Sequence, residues 1–138
     1  MQKRLKNPIK CDIIGGEPFL HKELLSFLAY LDENNIQFTI YTNASSSIET
    51  YINALNSFKH IKIVFSIHYS LFYATPYVSA IRKLKTIFSR LLVPSCELRI
   101  MFNPNIISII DNIVHEFYDY STVFPILDDS INYTADDI

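Results

Sequence analysis

The sequence contains few of the residues that commonly mark turns, metal sites and disulfides. Only two of its 138 residues are glycine, two are cysteine, and tryptophan is absent. The cysteines, Cys11 and Cys96, are far apart and both lie in apolar, strand-like surroundings, so their spacing does not predict a metal site. We interpret them as reduced core thiols, which are typical of a cytoplasmic protein.

Charge and hydropathy argue against two further classes of protein. The formal net charge is −2, which removes the electrostatic basis for nucleic acid binding. No apolar run approaches the ~20 residues that cross a bilayer, and the charged N-terminus is not followed by the apolar segment of a signal peptide. The sequence therefore predicts a cytoplasmic protein without a nucleic acid or membrane partner.

Hydrophobic patterning predicts one α/β domain with alternating strands and helices. The first predicted helix follows Pro18 and ends at Asn34, with Leu20, Leu25 and Phe27 among its inward residues, and a later helix exposes Lys83. The strands are predicted at 9–14, 36–41, 61–67, 96–102 and 123–127, and the other helices at 48–58, 77–92 and 106–120. Helices between strands require right-handed crossovers, which give a parallel sheet, either open or closed into a barrel. We expect the first strand, which is short and apolar, to be buried on both faces. The predicted elements lie between a leader loop at 1–8 and an acidic tail at 128–138.

Both glycines stand together at the end of the first predicted strand, in the run Cys11-Asp12-Ile13-Ile14-Gly15-Gly16-Glu17-Pro18. Glycine is needed where φ is positive or where another group approaches the backbone closely. A tight turn alone could explain them, although a plain turn rarely needs two glycines and an acid. Parallel α/β folds hold ligands at the carboxyl ends of their strands. Amides beside a carboxylate there predict a site for a ligand that carries both an ammonium and a carboxylate.

Further polar residues follow the other predicted strands: Thr42 and Asn43, then Ser66 and His68, then Asn103. Because the carboxyl ends of parallel strands open on one side, we expect a pocket there. A loop or capping role is the simpler interpretation of Thr42 and Asn103, whereas Ser66 and His68 could equally be site residues. The sequence has no phosphate loop, dinucleotide fingerprint, nucleophile elbow or zinc spacing.

The segment Ile13-Ile14-Gly15-Gly16-Glu17-Pro18 resembles the GGEP segment of radical S-adenosylmethionine (SAM) enzymes. Tyr41-Thr42-Asn43 and Phe65-Ser66-Ile67-His68 are similar to the ends of that family's next two strands, and the resemblance extends from about residue 10 to 127. It implies a partial TIM-barrel-like core of (β/α) repeats.

The resemblance also implies a cofactor and the residues that bind it. Gly15, Gly16 and Glu17, followed by Pro18, would hold the methionyl amino group of SAM. Ser66, His68 and Asn43 would face its ribose or carboxylate, and the backbone of 124–127 would lie near its adenine. In the family, a [4Fe-4S] cluster cleaves SAM reductively, and the resulting radical abstracts hydrogen from a substrate.

One departure from the family pattern concerns the cluster. The family's C-x3-C-x2-C loop follows a strand upstream of GGEP, whereas only ten residues precede Cys11 here. The resemblance therefore implies a single incomplete radical SAM core over 1–138 that lacks the first βα unit. We expect it to have no metal-ligating or catalytic residue, to be inactive alone and to have the missing N-terminal segment as a partner.

Two other functions remain open. The chain could be a non-catalytic module that binds SAM or a similar small ligand. It could also be a structural domain whose open first strand is covered by a partner, since an unpaired edge strand favours aggregation.

Overall fold

A computed structural model of the chain describes residues 9–68, 77–91, 96–102, 107–118 and 122–127. The leader loop, the acidic tail and Asn103 lie outside these residues. The strands are β1 (Lys10–Ile13), β2 (Gln37–Thr42), β3 (Ile61–His68), β4 (Cys96–Phe102) and β5 (Thr122–Leu127). The helices are α1 (Leu24–Glu33), α2 (Ile48–Ser57), α3 (Tyr77–Ser89) and α4 (Ile107–Phe117), and a 3-10 turn spans Pro18–Leu20.

The five described strands form one parallel sheet in the order β1-β2-β3-β4-β5. Crossovers between parallel strands are right-handed, so a sheet that keeps the order of the sequence has its connecting helices on one face. The predicted α/β fold with parallel strands is therefore confirmed, and closure into a barrel stays a prediction. None of the described helices is long and apolar enough to span a membrane.

The hydrophobic core lies between the sheet and its helices. Phe65, in the central strand, is fully buried. Its ring makes edge-to-face contacts with Tyr51 and Phe88, at centroid distances of 5.2 and 5.6 Å, and Phe88 contacts Phe117 at 5.4 Å. Such pairs add about 0.5–1.5 kcal/mol beyond the burial of their area. These aromatic contacts join β3 to α2, α3 and α4.

The first helix begins later than the sequence predicts. After the 3-10 turn, His21 adopts an extended conformation with φ −80° and ψ 125°, which interrupts the helical periodicity. Only Leu24, Leu28 and Leu31 of α1 are buried. The expectation that Leu20, Leu25 and Phe27 face the core is wrong, since all three are exposed.

The expectation that the first strand is buried on both faces is also wrong, since no residue of β1 is fully buried. Along β2 and β3, buried apolar residues alternate with more exposed polar ones such as Thr39, Lys62 and Ser66. Successive side chains of a strand point to opposite faces, so the second face of the sheet is largely polar. We call this surface the polar face; its described residues include Thr39, Tyr41, Lys62, Val64, Ser66, His68, Glu97 and Arg99.

Asp32, at the end of α1, fixes the connection that leads into β3. Its Oδ1 accepts hydrogen bonds from the backbone N–H groups of Lys59 and His60, at 3.0 and 2.9 Å, and contacts His60 Nδ1 at 2.9 Å. Burial opposes ionisation of this carboxyl, but these hydrogen bonds outweigh it and hold the pKa of Asp32 below its ordinary value.

We predict that Asp32→Ala destabilises the fold by about 1–3 kcal/mol, because it removes the acceptor of several hydrogen bonds. A carboxyl with a lowered pKa stabilises the folded state fully above its unfolded pKa of about 3.9, and this contribution is lost as the pH falls through the folded pKa. Urea unfolding at pH 7 and at pH 3 measures both effects. The control Asp111→Ala, at an exposed position on α4, should change stability little. Equal losses for the two variants would contradict the assignment.

Candidate functional site

The two glycines form a left-handed turn immediately after β1. Their φ angles are +94° for Gly15 and +50° for Gly16, which confirms that the turn needs positive φ. A Cβ added to either residue would meet no atom within 4 Å. Glycine is therefore required here for the backbone conformation, and the space beside both residues is open.

Glu17 connects this turn to the end of β2. Its Oε1 accepts hydrogen bonds from Thr42 Oγ1 at 2.7 Å and from the backbone N–H of Phe19 at 3.3 Å. Its Oε2 accepts from the backbone N–H of Asn43 at 2.9 Å. The sheet brings these groups together because Ile13 pairs with Ile40, so the chain beyond β1 emerges beside the end of β2.

A chain of buried hydroxyl groups supports the carboxylate from the core. Thr42 is 2% exposed and Tyr51 is fully buried, and their hydroxyl oxygens are 3.1 Å apart. Because the single hydroxyl proton of Thr42 is donated to Glu17, Tyr51 must donate to Thr42. The Tyr51 oxygen in turn accepts from the backbone N–H of Ser46 at 2.9 Å. Burial raises the pKa of Tyr51, which keeps it protonated as the donor.

Lys83, on α3, holds the loop between β2 and α2 from the other side. Its ammonium donates to the carbonyl oxygens of Ala44 and Ser46, the latter at 2.6 Å, and lies 6.0 Å from the centroid of the Tyr51 ring. Burial lowers the pKa of Lys83, and the nearby charge of Glu17 opposes that shift. Ala44 has a φ of +64°, a conformation that costs an L-residue roughly 1–2 kcal/mol. The surrounding hydrogen bonds hold it there.

Three of these residues have roles that the sequence interpretation missed. Thr42 was best explained as a loop residue, Tyr51 as part of the core, and Lys83 as exposed; Lys83 is partly buried. The signal for Tyr51 was available, because a buried tyrosine hydroxyl needs a hydrogen-bond partner. No local pattern identifies Lys83, whose partners lie about 40 residues away in sequence.

The residues predicted from the sequence form two groups. Glu17 and the backbone of Asn43 belong to one hydrogen-bonded unit. Gly15 and Gly16 form the turn that precedes Glu17, and Pro18 is buried at the start of the 3-10 turn. The side chain of Asn43 is exposed, and its Oδ1 accepts from the backbone N–H of Ser45 at 2.9 Å.

Ser66 and His68 form the second group, on the polar face. Thr42 pairs with Phe65, so Ser66 lies one residue further along, at the same end of the sheet. Its side chain alternates with buried Phe65 and Ile67, which directs it away from the helices. Ser66 is half-buried, and His68 is exposed. The second group is therefore next to the carboxylate unit but on the opposite side of the strands.

The two cysteines do not form a metal site in this arrangement. Cys11 is in β1 and Cys96 is in β4, and β2 and β3 separate them in the sheet. Burial raises the pKa of the Cys96 thiol to about 12, which disfavours the thiolate that a metal requires. Within the described ranges, no group of three His, Cys, Asp or Glu side chains could hold a metal ion.

Three crystal structures of SuiB from Streptococcus suis resemble this fold. The alignment with one of them covers 93% of this chain and 44% of the SuiB chain, with 15% sequence identity and a TM-score of 0.60. The alignment with SuiB bound to S-adenosylmethionine covers 91% of this chain and 31% of the SuiB chain, with 20% sequence identity and a TM-score of 0.60. The alignment with SuiB bound to the precursor peptide SuiA covers 84% of this chain and 28% of the SuiB chain, with 21% sequence identity and a TM-score of 0.60. This chain thus spans less than half the length of the structures it matches.

The other two comparisons gave no match, either to a protein-family model or to a curated protein. At these identities the likeness to SuiB concerns the fold.

We predict that Thr42→Val destabilises the protein by about 1–3 kcal/mol, because it leaves Glu17 without one donor and the buried Tyr51 hydroxyl without its acceptor. Thr39→Val is the matched control, since it makes the same change in the same strand on the polar face. Thermal unfolding of both variants measures the difference. If both lose the same stability, the hydroxyl of Thr42 has no special role.

Proposed function

We propose that this chain is a radical SAM-type core domain that binds S-adenosylmethionine through Gly15, Gly16 and Glu17. The observation that carries the proposal is the position of the Glu17 carboxylate, which is held by hydrogen bonds at the ends of β1 and β2. It lies beside a left-handed glycine turn with open space around it. Carboxyl ends of strands in parallel α/β folds are the usual position of a ligand.

The carboxylate retains the capacity to bind an ammonium group. Two carboxylate oxygens offer about four acceptor positions, and three are used, by Thr42, Phe19 and Asn43. The remaining position is on Oε2. An N–H of the methionyl ammonium could donate there, and hydrogen bonds between charged groups are about twice as strong as neutral ones.

Further polar groups that could contact the remaining parts of SAM lie near this unit. The exposed Nδ2 of Asn43 and the side chains of Ser66 and His68 lie at the same end of the sheet. We assign them to the ribose or the carboxylate of SAM, as the resemblance implies. The positive sulfonium is compatible with the nearby negative charge of Glu17. The fold of SuiB, which has been crystallised with SAM, supports the same ligand.

The [4Fe-4S] cluster of the family does not fit the residues of this chain. The family loop provides three clustered thiolates, whereas these 138 residues include two cysteines, in β1 and β4. We therefore propose that any thiolates come from a segment or partner outside this sequence, in the reducing environment of a cytoplasm. In this proposal the residues present here bind and orient SAM, and they do not generate a radical by themselves.

A non-catalytic SAM-binding module is the second candidate, and the same carboxylate unit favours it. The two candidates differ in whether an iron–sulfur cluster can be completed.

A structural role is the third candidate. It is favoured by the exposed Leu25, Phe27 and Tyr30 on α1 and by the position of β1 at the edge of the described sheet. A further βα unit would cover both surfaces.

We predict that the protein binds SAM in isothermal titration calorimetry and that Glu17→Gln weakens binding by about 10- to 100-fold. Loss of a hydrogen bond to a charged group costs about 1.5–3 kcal/mol, which corresponds to this range. The control is Glu33→Gln, at an exposed position on α1, and circular dichroism checks the folding of both variants.

Two outcomes would separate the candidates. Absence of SAM binding to the unaltered protein would refute both SAM-binding functions and leave the structural role. If SAM binds, reconstitution with iron and sulfide in the presence of the upstream segment or partner distinguishes an enzyme core, which gains iron, from a non-catalytic module, which does not.

A further inference from the structure

The polar face of the sheet carries a charge cluster that the proposed SAM site does not use. Glu97, in β4, is only 7% exposed. Its Oε2 accepts from Lys62 Nζ and its Oε1 from Arg99 Nε, both at 2.6 Å. Burying a charge is costly unless it is paired and hydrogen-bonded, and here both carboxylate oxygens are engaged.

The cluster contains two cations in contact with one carboxylate, so it has a surplus positive charge. Burial opposes ionisation of Glu97, but the hydrogen bonds from Lys62 and Arg99 outweigh it and keep the pKa of Glu97 below its ordinary value. The carboxylate thus remains charged at neutral pH. Lys62 is about half exposed, so water solvates much of its charge, whereas Arg99 is more enclosed.

Arg99 is held in one orientation by two different contacts. Glu97 binds its Nε, and its Cζ lies 5.4 Å from the centroid of the Tyr41 ring. Its side chain is still 35% exposed, so a ligand can reach it. A guanidinium has five N–H donors in a planar fork that matches a carboxylate or a phosphate in a bidentate manner. The bond from Nε to Glu97 uses one of these donors.

The position of Arg99 relates the cluster to the end of the sheet where ligands bind. Arg99 pairs with Ser66 in the neighbouring strand, and Ser66 is a residue that we assign to the SAM site. A parallel sheet that is covered on both faces has near-continuous apolar strands. Ionic side chains on this face are instead consistent with a surface that faces water or a polar ligand.

We propose that Arg99, oriented by Glu97 and Tyr41, binds the carboxylate or phosphate group of a small-molecule substrate on the polar face. This site is separate from the carboxylate unit of Glu17 and does not require SAM to be bound. The surplus positive charge attracts the anion, and the planar fork fixes its orientation.

The test is a titration of the protein with inorganic phosphate, followed by 31P NMR line width, and with acetate, followed by saturation-transfer NMR, at constant ionic strength. We expect saturable binding of at least one anion, which identifies the preferred group. Arg99→Gln should weaken it by at least about tenfold. Arg90→Gln should not change it, because Arg90 also pairs with a glutamate, Glu49, but on the helical surface.

Two additions keep the result interpretable. If Arg99→Gln does not fold because Glu97 loses a partner, the double variant Glu97→Gln/Arg99→Gln removes both charges and is tested instead. The titration is repeated with saturating SAM. Unchanged anion binding supports a separate site, and complete competition would overturn it by showing that the anion occupies the carboxylate position of SAM. Anion binding that is absent, or equal in the Arg99 and Arg90 variants, would also refute the proposal. Unlike the competition experiment, these two results do not depend on SAM binding.

Discussion

The hydrogen bond from Thr42 to Glu17 is the interaction on which the candidate site depends. It joins the loop after β1 to the end of β2, and the backbone N–H of Asn43 adds a second link. Thr42 can make this bond because Tyr51 donates to it from the core, so helix α2 determines where the carboxylate lies. Lys83 extends the same dependence to α3 through the carbonyl groups of the intervening loop.

Side chains of opposite charge lie on the two faces of the sheet near the strand ends. The side that faces the helices holds a carboxylate, which suits an ammonium or sulfonium ligand. The polar face holds Arg99 and Lys62 around Glu97, which suits an anion. Because β3 runs between them with Ser66 on the polar face, groups bound on each side would meet near the end of this strand. In our account, a cationic cofactor and an anionic substrate can be adjacent without competing for the same residues.

The sequence predicted those features that depend on local patterns. The order of strands and helices follows from hydrophobic periodicity, and the positive φ of Gly15 and Gly16 follows from the placement of the chain's two glycines. The first helix is predicted to begin too early in the chain, because residue spacing alone cannot show that the backbone of His21 has a β conformation. The polar face was missed because isolated polar residues in strands such as Ile-Lys-Ile-Val-Phe-Ser-Ile were outweighed by the apolar majority. Lys83 could not be found at all, because its role arises from contacts between distant parts of the chain.

A crystal structure of the protein with S-adenosylmethionine would test the account most directly. We expect the methionyl nitrogen to lie about 3 Å from Glu17 Oε2, as a hydrogen bond requires, with the glycine turn and the bond from Thr42 to Glu17 unchanged. A structure in which SAM binds elsewhere, or in which its amino group contacts other residues while Glu17 contacts only Thr42, Phe19 and Asn43, would contradict it.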